Sequence, residues 1–284
     1  GLSTPEIARA YLSPEATAAQ RIVRAKRALA EAGVRFEMPT PAETGERTSA
    51  VLRIVYLIFN EGYAATGGDD WARPELCREA MRLGRVLAGL LPRAPEVHGL
   101  VALMELQASR LPARVDAAGQ PVLLPDQDRR RWDRALIRHG LAALATAERL
   151  SSGLPGGGPY TLQAAIAACH ARAIRAADTD WPRIAALYEV LAHLQPTPVV
   201  LLNRAVAIGF AGDPARGLRL ADELVAVRAL RAYPQLPAVR AELLARLGRP
   251  EEARAAFARA AELTRNEAER ALFRRRVAEI SAPG

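Results

Sequence analysis

The sequence has few of the residues that build disulfide frameworks, metal centres or membrane spans. Its 284 residues include two cysteines, Cys77 and Cys169, which lie far apart and outside any CxxC motif, so neither a disulfide scaffold nor a zinc site is expected. No apolar run approaches the roughly 18 residues that a spanning helix needs, and no signal peptide is recognised. Two isolated thiols fit a reducing compartment, and we expect a cytoplasmic protein.

Aromatic residues are also scarce, with three Trp, six Tyr and five Phe. Val and Ile never alternate with polar residues in the way that a half-buried strand requires. Alanine, leucine and arginine dominate instead, and the first two strongly favour helices, so the composition predicts an all-α fold. The net charge of +8 is carried almost wholly by arginine, which is compatible with nucleic-acid binding and equally with a solubilising surface.

Motifs for catalysis are missing as well. The sequence shows no nucleophile–base pair, no glycine-rich phosphate loop and no cluster of metal ligands. Its histidines are scattered, and we interpret each as a packed or surface residue: His98, His139, His170 and His193. We therefore expect a protein that is not an enzyme, with no catalytic residues, no cofactor and no bound metal.

Residues 1–32 carry the signals of two short helices. Ser3 and Glu6 have the spacing of a capping box, which predicts a helix start. Ser13 followed by Pro14 predicts a second start, with Ser13 as N-cap and Pro14 at the first helical position. This second helix should run to about Ala32, because a glycine follows it.

The second helix has two different sides. Apolar residues at helical spacing form one stripe that we expect to face inward: Ala18, Ile22, Ala25 and Leu29. On another side no acidic residue interrupts the four positive charges between Arg21 and Arg27. Two short helices with a basic second helix have the shape of a helix-turn-helix. The expected DNA-binding residues are Ser13, Glu15, Thr17, Gln20, Arg21, Arg24 and Arg27. The alternative is an ordinary helical hairpin with a basic, solvated face.

A linker is predicted over 33–45, where two prolines lie and periodicity is weak. A helical region without repeats should follow over 46–158, with Asp126 as the N-cap of a helix that ends near Leu150. Polar residues in this region form a candidate network: Glu61, Arg110, Arg114, Asp116, Asp126, Asp128, Arg129 and Asp133. They are interpreted mainly as salt bridges and caps, and alternatively as a pocket for a ligand or partner. Catalysis by paired carboxylates is the least favoured interpretation.

Residues 159–284 contain an internal repeat. Two segments match the spacing of a tetratricopeptide (TPR) unit. The first has Ile184, Tyr188, Leu191 and Pro196, and the second has Ala253, Phe257, Ala260 and Arg265. Gly212 and Gly248 lie 36 residues apart, close to the TPR period of about 34. Such helix pairs must stack to bury their apolar faces, and an arginine-rich helix over 266–280 should cap the stack.

These motifs together resemble one group of extracytoplasmic-function sigma factors of bacterial RNA polymerase. Leu2, Ser3, Glu6, Ile7 and Ala8, then Leu12, Ser13, Thr17, Arg21, Ile22, Arg24 and Ala25 resemble the second half of sigma region 4. The phrases at 56–63, 110–116 and 126–133, followed by TPR-like repeats, resemble the long helical extension of that group. Where the family often has Val-Lys-Ser after the Thr, this sequence has Ala18-Ala19-Gln20, which leaves the base preference open.

The resemblance implies a transcription initiation factor. Its N-terminal helices would read the −35 promoter element, and its extension would be a regulatory or protein-interaction module. The expected partners are promoter DNA, the RNA polymerase core, and sigma region 2 or a regulatory protein. We expect a piece of a longer protein, because region 2 and the first helices of region 4 do not occur in the sequence. The competing hypothesis is a TPR-type scaffold that binds a peptide, protein or small ligand and does not itself read DNA.

Overall fold

The expectation of an all-α protein is confirmed by a computed structural model that describes residues 2–33, 40–64, 72–117, 119–151 and 157–281. Within these ranges there are thirteen α-helices and no strand; the one extended feature is an isolated bridge between Val115 and Pro121. The helices are α1 Thr4–Ala10, α2 Glu15–Ala32, α3 Pro41–Tyr63, α4 Pro74–Leu90, α5 Pro95–Ala108, α6 Arg134–Leu150, α7 Pro159–Arg172, α8 Trp181–Leu194, α9 Pro198–Phe210, α10 Pro214–Glu223, α11 Gln235–Arg246, α12 Pro250–Leu263 and α13 Glu267–Ser281.

Helix α3 begins at Pro41, inside the segment that was predicted to be a linker over 33–45, so the end of that prediction is wrong. The local cause is a capping box. The backbone N–H of Thr40 donates to the Glu43 carboxylate at 2.9 Å, and the Glu43 N–H donates back to the Thr40 hydroxyl at 3.4 Å. Residues 34–39 of the predicted linker lie outside the described residues.

Two predicted helix caps are also wrong. Helix α2 begins one residue later than expected, with Pro14 at the N-cap, while the Ser13 hydroxyl donates to the Ala8 carbonyl at 3.5 Å. Helix α6 is capped by Asp133, which accepts from two backbone N–H groups at 2.8 and 3.0 Å. Asp126 lies in a separate 3₁₀ turn, Leu124–Asp126, because Pro125 and the extended backbone at Gln127 end the helical path there.

Helix α5 is the centre of the N-terminal half. Ten of its fourteen residues are buried, because α4, α6 and α7 all pack around it. The α5–α6 contact is close: a Cβ added at Gly140 would lie 2.8 Å from the Leu106 side chain. The apolar core of this half includes buried residues from Leu52 in α3 to Ala171 in α7.

Helices α9 to α13 form a second core. It includes Leu202, Leu230, Leu243 and Phe257, and successive helices contact each other along the chain. Five of the eight residues of the predicted repeat pattern are buried: Ile184, Leu191, Ala253, Phe257 and Ala260. Tyr188 is half-buried, and Pro196 and Arg265 are exposed. Gly212 and Gly248 have φ values of 116° and 68° at turns between helices, a conformation that favours glycine.

The α1–α2 hairpin rests on both ends of the extension. Arg73, just before α4, donates to the Glu6 carboxylate at 2.9 Å. Leu12, in the turn between the two helices, packs against the core formed by α9 to α13. Leu12 has a φ of 47°, which is uncommon for a residue with a branched side chain and costs on the order of 1 kcal/mol. Among the helices that the structure describes, none is long and apolar enough to cross a membrane.

Candidate functional site

The outward side of α2 is open to solvent. Gln20, Arg21, Arg24 and Arg27 are all exposed, and none is covered by the helices of the extension. The Arg24 Nε donates to the Gln20 carbonyl at 3.4 Å, and Arg27 forms an ion pair with Glu31 at 2.6 Å. Since both members of that pair are well exposed, it holds Arg27 only weakly. The arginines of α2 are therefore available to an anionic partner.

The remaining predicted DNA-binding residues lie at the start of α2. Glu15 is exposed, whereas Ser13 and Thr17 are half-buried beside α1. Ser13 uses its hydroxyl to bind the Ala8 carbonyl, so it joins the two helices of the hairpin. The structure thus brings the seven predicted residues onto one helix and its leading turn. Five of them are exposed, and Ser13 and Thr17 are half-buried.

The predicted inward stripe of α2 is only partly covered. Ala18 is buried and Ile22 is half-buried, but Ala25 and Leu29 are exposed, Leu29 at 61%. The prediction of four inward residues is wrong for these last two. The physical reason is length, because α1 has seven residues and reaches only the first turns of the eighteen-residue α2.

Three arginines of the predicted polar network are buried in the extension. The Arg129 guanidinium is held by one Nη, which donates to the carbonyls of His170 at 2.6 Å and Ala173 at 2.9 Å. Its other Nη donates to the Thr179 hydroxyl at 3.1 Å. The Arg129 Cζ lies 4.9 Å from the centroid of the Trp132 ring. These contacts join the turn at Arg129–Arg131 to the end of α7, about 40 to 50 residues later.

The other two buried arginines approach aromatic rings. The Arg110 Cζ lies 5.5 Å from the Trp132 ring centroid, and the Arg114 Cζ lies 3.8 Å from that of Tyr63. Arg114 also donates to the Tyr63 carbonyl, and burial lowers the pKa of its guanidinium. Glu61 is buried near the end of α3. Cation–π contacts of this kind are strongest when the cation is removed from water.

The aspartates of the network lie at the surface, whereas its arginines are buried. All four are exposed: Asp116, Asp126, Asp128 and Asp133. Two of them accept hydrogen bonds from residues close in sequence. Asp128 accepts from the Arg130 N–H at 3.0 Å, and Asp116 accepts from the Gln120 N–H at 2.8 Å. No pair of carboxylates is brought together in the interior among these four. The candidate network therefore separates into a buried part, with three arginines and Glu61, and four exposed aspartates.

Sequence reasoning missed His170 as a member of this region. Burial, with the nearby charges of Arg110 and Arg129, lowers the pKa of His170 to about 3, so its imidazole is neutral at physiological pH. Its ring packs edge-on against Trp181 at 5.3 Å between centroids. The signal available in the sequence was the apolar run that surrounds it, residues 164–171. In the structure this run lies in α7, where ten of fourteen residues are buried.

One protein family and one individual protein are similar to this chain. A family model described as a family of unknown function (DUF6596) matches residues 47–148, which include Arg110, Arg114, Arg129 and Trp132. An uncharacterized protein of Rhizobium meliloti (strain 1021) is 47% identical over 282 residues, which are 99% of this chain and 65% of the relative. The chain thus spans just under two thirds of that relative's length, and the similarity includes α1 and α2 as well as the extension.

Proposed function

We propose that the chain is part of an extracytoplasmic-function sigma factor that acts in the cytoplasm. Helices α1 and α2 form the helix-turn-helix that binds the −35 element of promoter DNA. The helices that follow, including TPR-like pairs from α8 to α13, form a regulatory module that contacts RNA polymerase or another part of the factor. The observation that carries this proposal is the solvent-exposed polar and basic side of α2.

Charge and geometry support DNA binding at α2. Arg21 and Arg24 are exposed and lie three residues apart, so they are neighbours on the helix surface. An arginine on a groove-bound helix neutralises a phosphate or forms a bidentate contact with a guanine edge. Thr17 and Gln20, nearer the start of the helix, are of types that hydrogen-bond to bases or the backbone.

The position of the hairpin supports a regulatory role for the extension. The ion pair of Glu6 with Arg73 and the packing of Leu12 on the C-terminal core leave the basic side of α2 uncovered. The extension therefore sets the orientation of the α1–α2 helix-turn-helix and leaves the basic side of α2 open to DNA. Any movement of the extension upon binding a partner would change that orientation.

The second candidate function is a helical scaffold in which the hairpin is only structural. The packing of Leu12 on the C-terminal core favours it, because a hairpin that stabilises the repeats needs no DNA. In that case α2 is basic for solubility, and the binding surface lies on the helix pairs.

Duplex binding separates the two functions. Fluorescence anisotropy would measure the affinity of the chain for a −35-like duplex over a series of salt concentrations. Arg21→Ala together with Arg24→Ala should lower the slope of log K against log salt by about 2, one for each lost phosphate contact. If counterion release supplies the whole effect, affinity near physiological salt should fall about 30-fold.

Arg216→Ala with Arg219→Ala is the matched control, because these exposed arginines of α10 have the same three-residue spacing. The control should bind the duplex like the unchanged chain. Equal loss in both double variants would mean that binding follows net charge alone. Absence of duplex binding by the unchanged chain at low salt would favour the scaffold.

A further inference from the structure

Several polar atoms without hydrogen-bond partners are gathered in one part of the interior. Among the described residues, Arg110 Nε, Arg129 Nε, Trp132 Nε1 and His170 Nδ1 are buried and make no hydrogen bond. Both guanidinium groups lie within 5.5 Å of the Trp132 ring centroid. Such atoms are rare in folded proteins, and each has a physical cause.

Arg110 is the most unusual member of this group. It is 8% exposed, and within the described part of the chain its guanidinium forms no ion pair and no hydrogen bond. Arg129 is 6% exposed and uses its Nη atoms on carbonyl and hydroxyl oxygens, again without an ion pair. Burying an arginine without a counter-charge destabilises the folded state, and two neighbouring arginines also repel each other.

The carboxylate that acts on Arg129 from a distance is already engaged elsewhere. The Asp178 carboxylate lowers the electrostatic cost at Arg129, but it forms an ion pair with Arg175 at 2.8 Å on the surface. His170 cannot balance the arginines, because an imidazole is neutral or positive, and here it is neutral. The interior around Trp132 therefore carries an excess of positive charge and of unused N–H groups.

We propose that the cluster of Arg110, Arg129 and Trp132 is a binding site for an oxyanion, either a carboxylate or a phosphate group of a small ligand. A guanidinium fork matches both groups geometrically. Arg129 is fixed by its three hydrogen bonds and offers its Nε, and Arg110 offers its whole guanidinium. The Trp132 indole N–H is a further donor. This assignment stands independently of DNA binding by α2.

The position of the site gives the ligand a structural consequence. Arg110 follows α5, Arg129 begins the turn before α6, and the Arg129 bonds reach the end of α7. An anion held by both arginines would join the end of α5 to the turn before α6 and, through Arg129, to the end of α7. Binding should therefore stabilise the packing of α5, α6 and α7 against one another.

Thermal unfolding with two probes tests the site. The full chain would be titrated with sodium phosphate and, separately, with sodium acetate, in chloride at constant ionic strength. At a hundredfold excess over Kd, a ligand that binds only the folded state should raise Tm by about 5 °C in a chain of this size. A rise that grows in proportion to the logarithm of the probe concentration above Kd is expected for a single site. Such a rise with phosphate alone identifies a phosphate ligand, and one with acetate alone identifies a carboxylate ligand.

Arg110→Met keeps an unbranched side chain that can fill the stem of Arg110, and it removes the charge. It should abolish the rise of Tm with the probe while leaving Tm without probe unchanged or higher, because a buried unpaired cation is gone. Arg130→Met is the control, since Arg130 lies in the same turn as Arg129 but is exposed and paired with Asp128. It should respond to the probe like the unchanged chain.

A second measurement uses the unchanged chain and so does not depend on whether a variant folds. In the unchanged chain, the indole N–H resonance of Trp132, assigned with Trp132→Phe, should shift on saturation with the probe. An unmoved Trp132 resonance with both probes would overturn the proposal. So would an equal Tm response in Arg110→Met and Arg130→Met, which would place binding on the arginine-rich surface.

Discussion

Titration of His170 should make the stability of the fold depend on pH. Burial, together with Arg110 and Arg129, lowers the pKa of His170 from 6.5 in the unfolded chain to about 3 in the folded one. Between these values the unfolded chain binds the proton and the folded chain does not. The free energy of unfolding therefore rises with pH in this window, and stability is lost as the pH falls below about 6.5.

The linkage relation gives the size of the effect. From about pH 7.5 to about pH 5, a shift of this size lowers the free energy of unfolding by about 2 kcal/mol. Most of the loss occurs below about pH 6.5. His170→Gln removes the titrating group while keeping a planar polar side chain, so this part of the pH dependence should disappear.

Urea unfolding at the two pH values, in buffer free of oxyanions, measures the difference. The unchanged chain should lose about 2 kcal/mol more than His170→Gln on acidification. His139→Gln, at an exposed position of α6, is the control and should behave like the unchanged chain. The same pH dependence in the unchanged chain and in His170→Gln would refute the reasoning, because it would mean that His170 is protonated in the folded state.

Three further predictions follow from contacts between distant parts of the chain. The Glu96 carboxylate accepts from two backbone N–H groups at the start of α7 and from the Thr161 hydroxyl at 2.7 Å, so Glu96→Ala should lower the urea-derived free energy of unfolding by about 2–3 kcal/mol; a loss below about 0.5 kcal/mol would contradict this. Burial raises the pKa of Cys77 to about 12, so Cys77 should react with a thiol reagent near pH 8 only in denaturant; rapid labelling of the folded chain would be inconsistent with that burial. Arg73→Ala removes the ion pair with Glu6, whose partners are partly exposed, so it should speed amide exchange in α1 while changing global stability by less than about 1 kcal/mol.

Local rules predicted most helices but not all of their ends. Ser3 with Glu6 marks a helix start in the sequence, and the Ser3 N–H donates to Glu6 at 2.6 Å. The same spacing at Thr40 and Glu43 was overlooked because two nearby prolines indicated a linker. Asp126 and Asp133 are equivalent as cap candidates in sequence, and the choice of Asp133 depends on the turn of three arginines between them.

The sites depend more on tertiary packing than the helices do. The exposed arginines of α2 could be predicted, since one helix carries them. The exposure of Leu29 could not, because it depends on how far the short helix α1 reaches. The environment of Arg129 is set by carbonyls that follow it by more than 40 residues. Sequence spacing gives no indication of such partners, nor of the absence of a carboxylate beside Arg110.

The placement of the hairpin ties α2 to both halves of the extension. Leu12 adopts a left-handed backbone conformation and packs on the core of α9 to α13, whereas Glu6 binds Arg73 beside α4. The buried arginines, by contrast, lie inside the N-terminal core, where Arg129 holds the turn before α6 to the end of α7. A change in how the two halves pack would change the distance between the two anchors of the hairpin. Because the Leu12 backbone is strained, the anchor at the C-terminal core should yield first, and α2 would then turn about the Glu6–Arg73 pair.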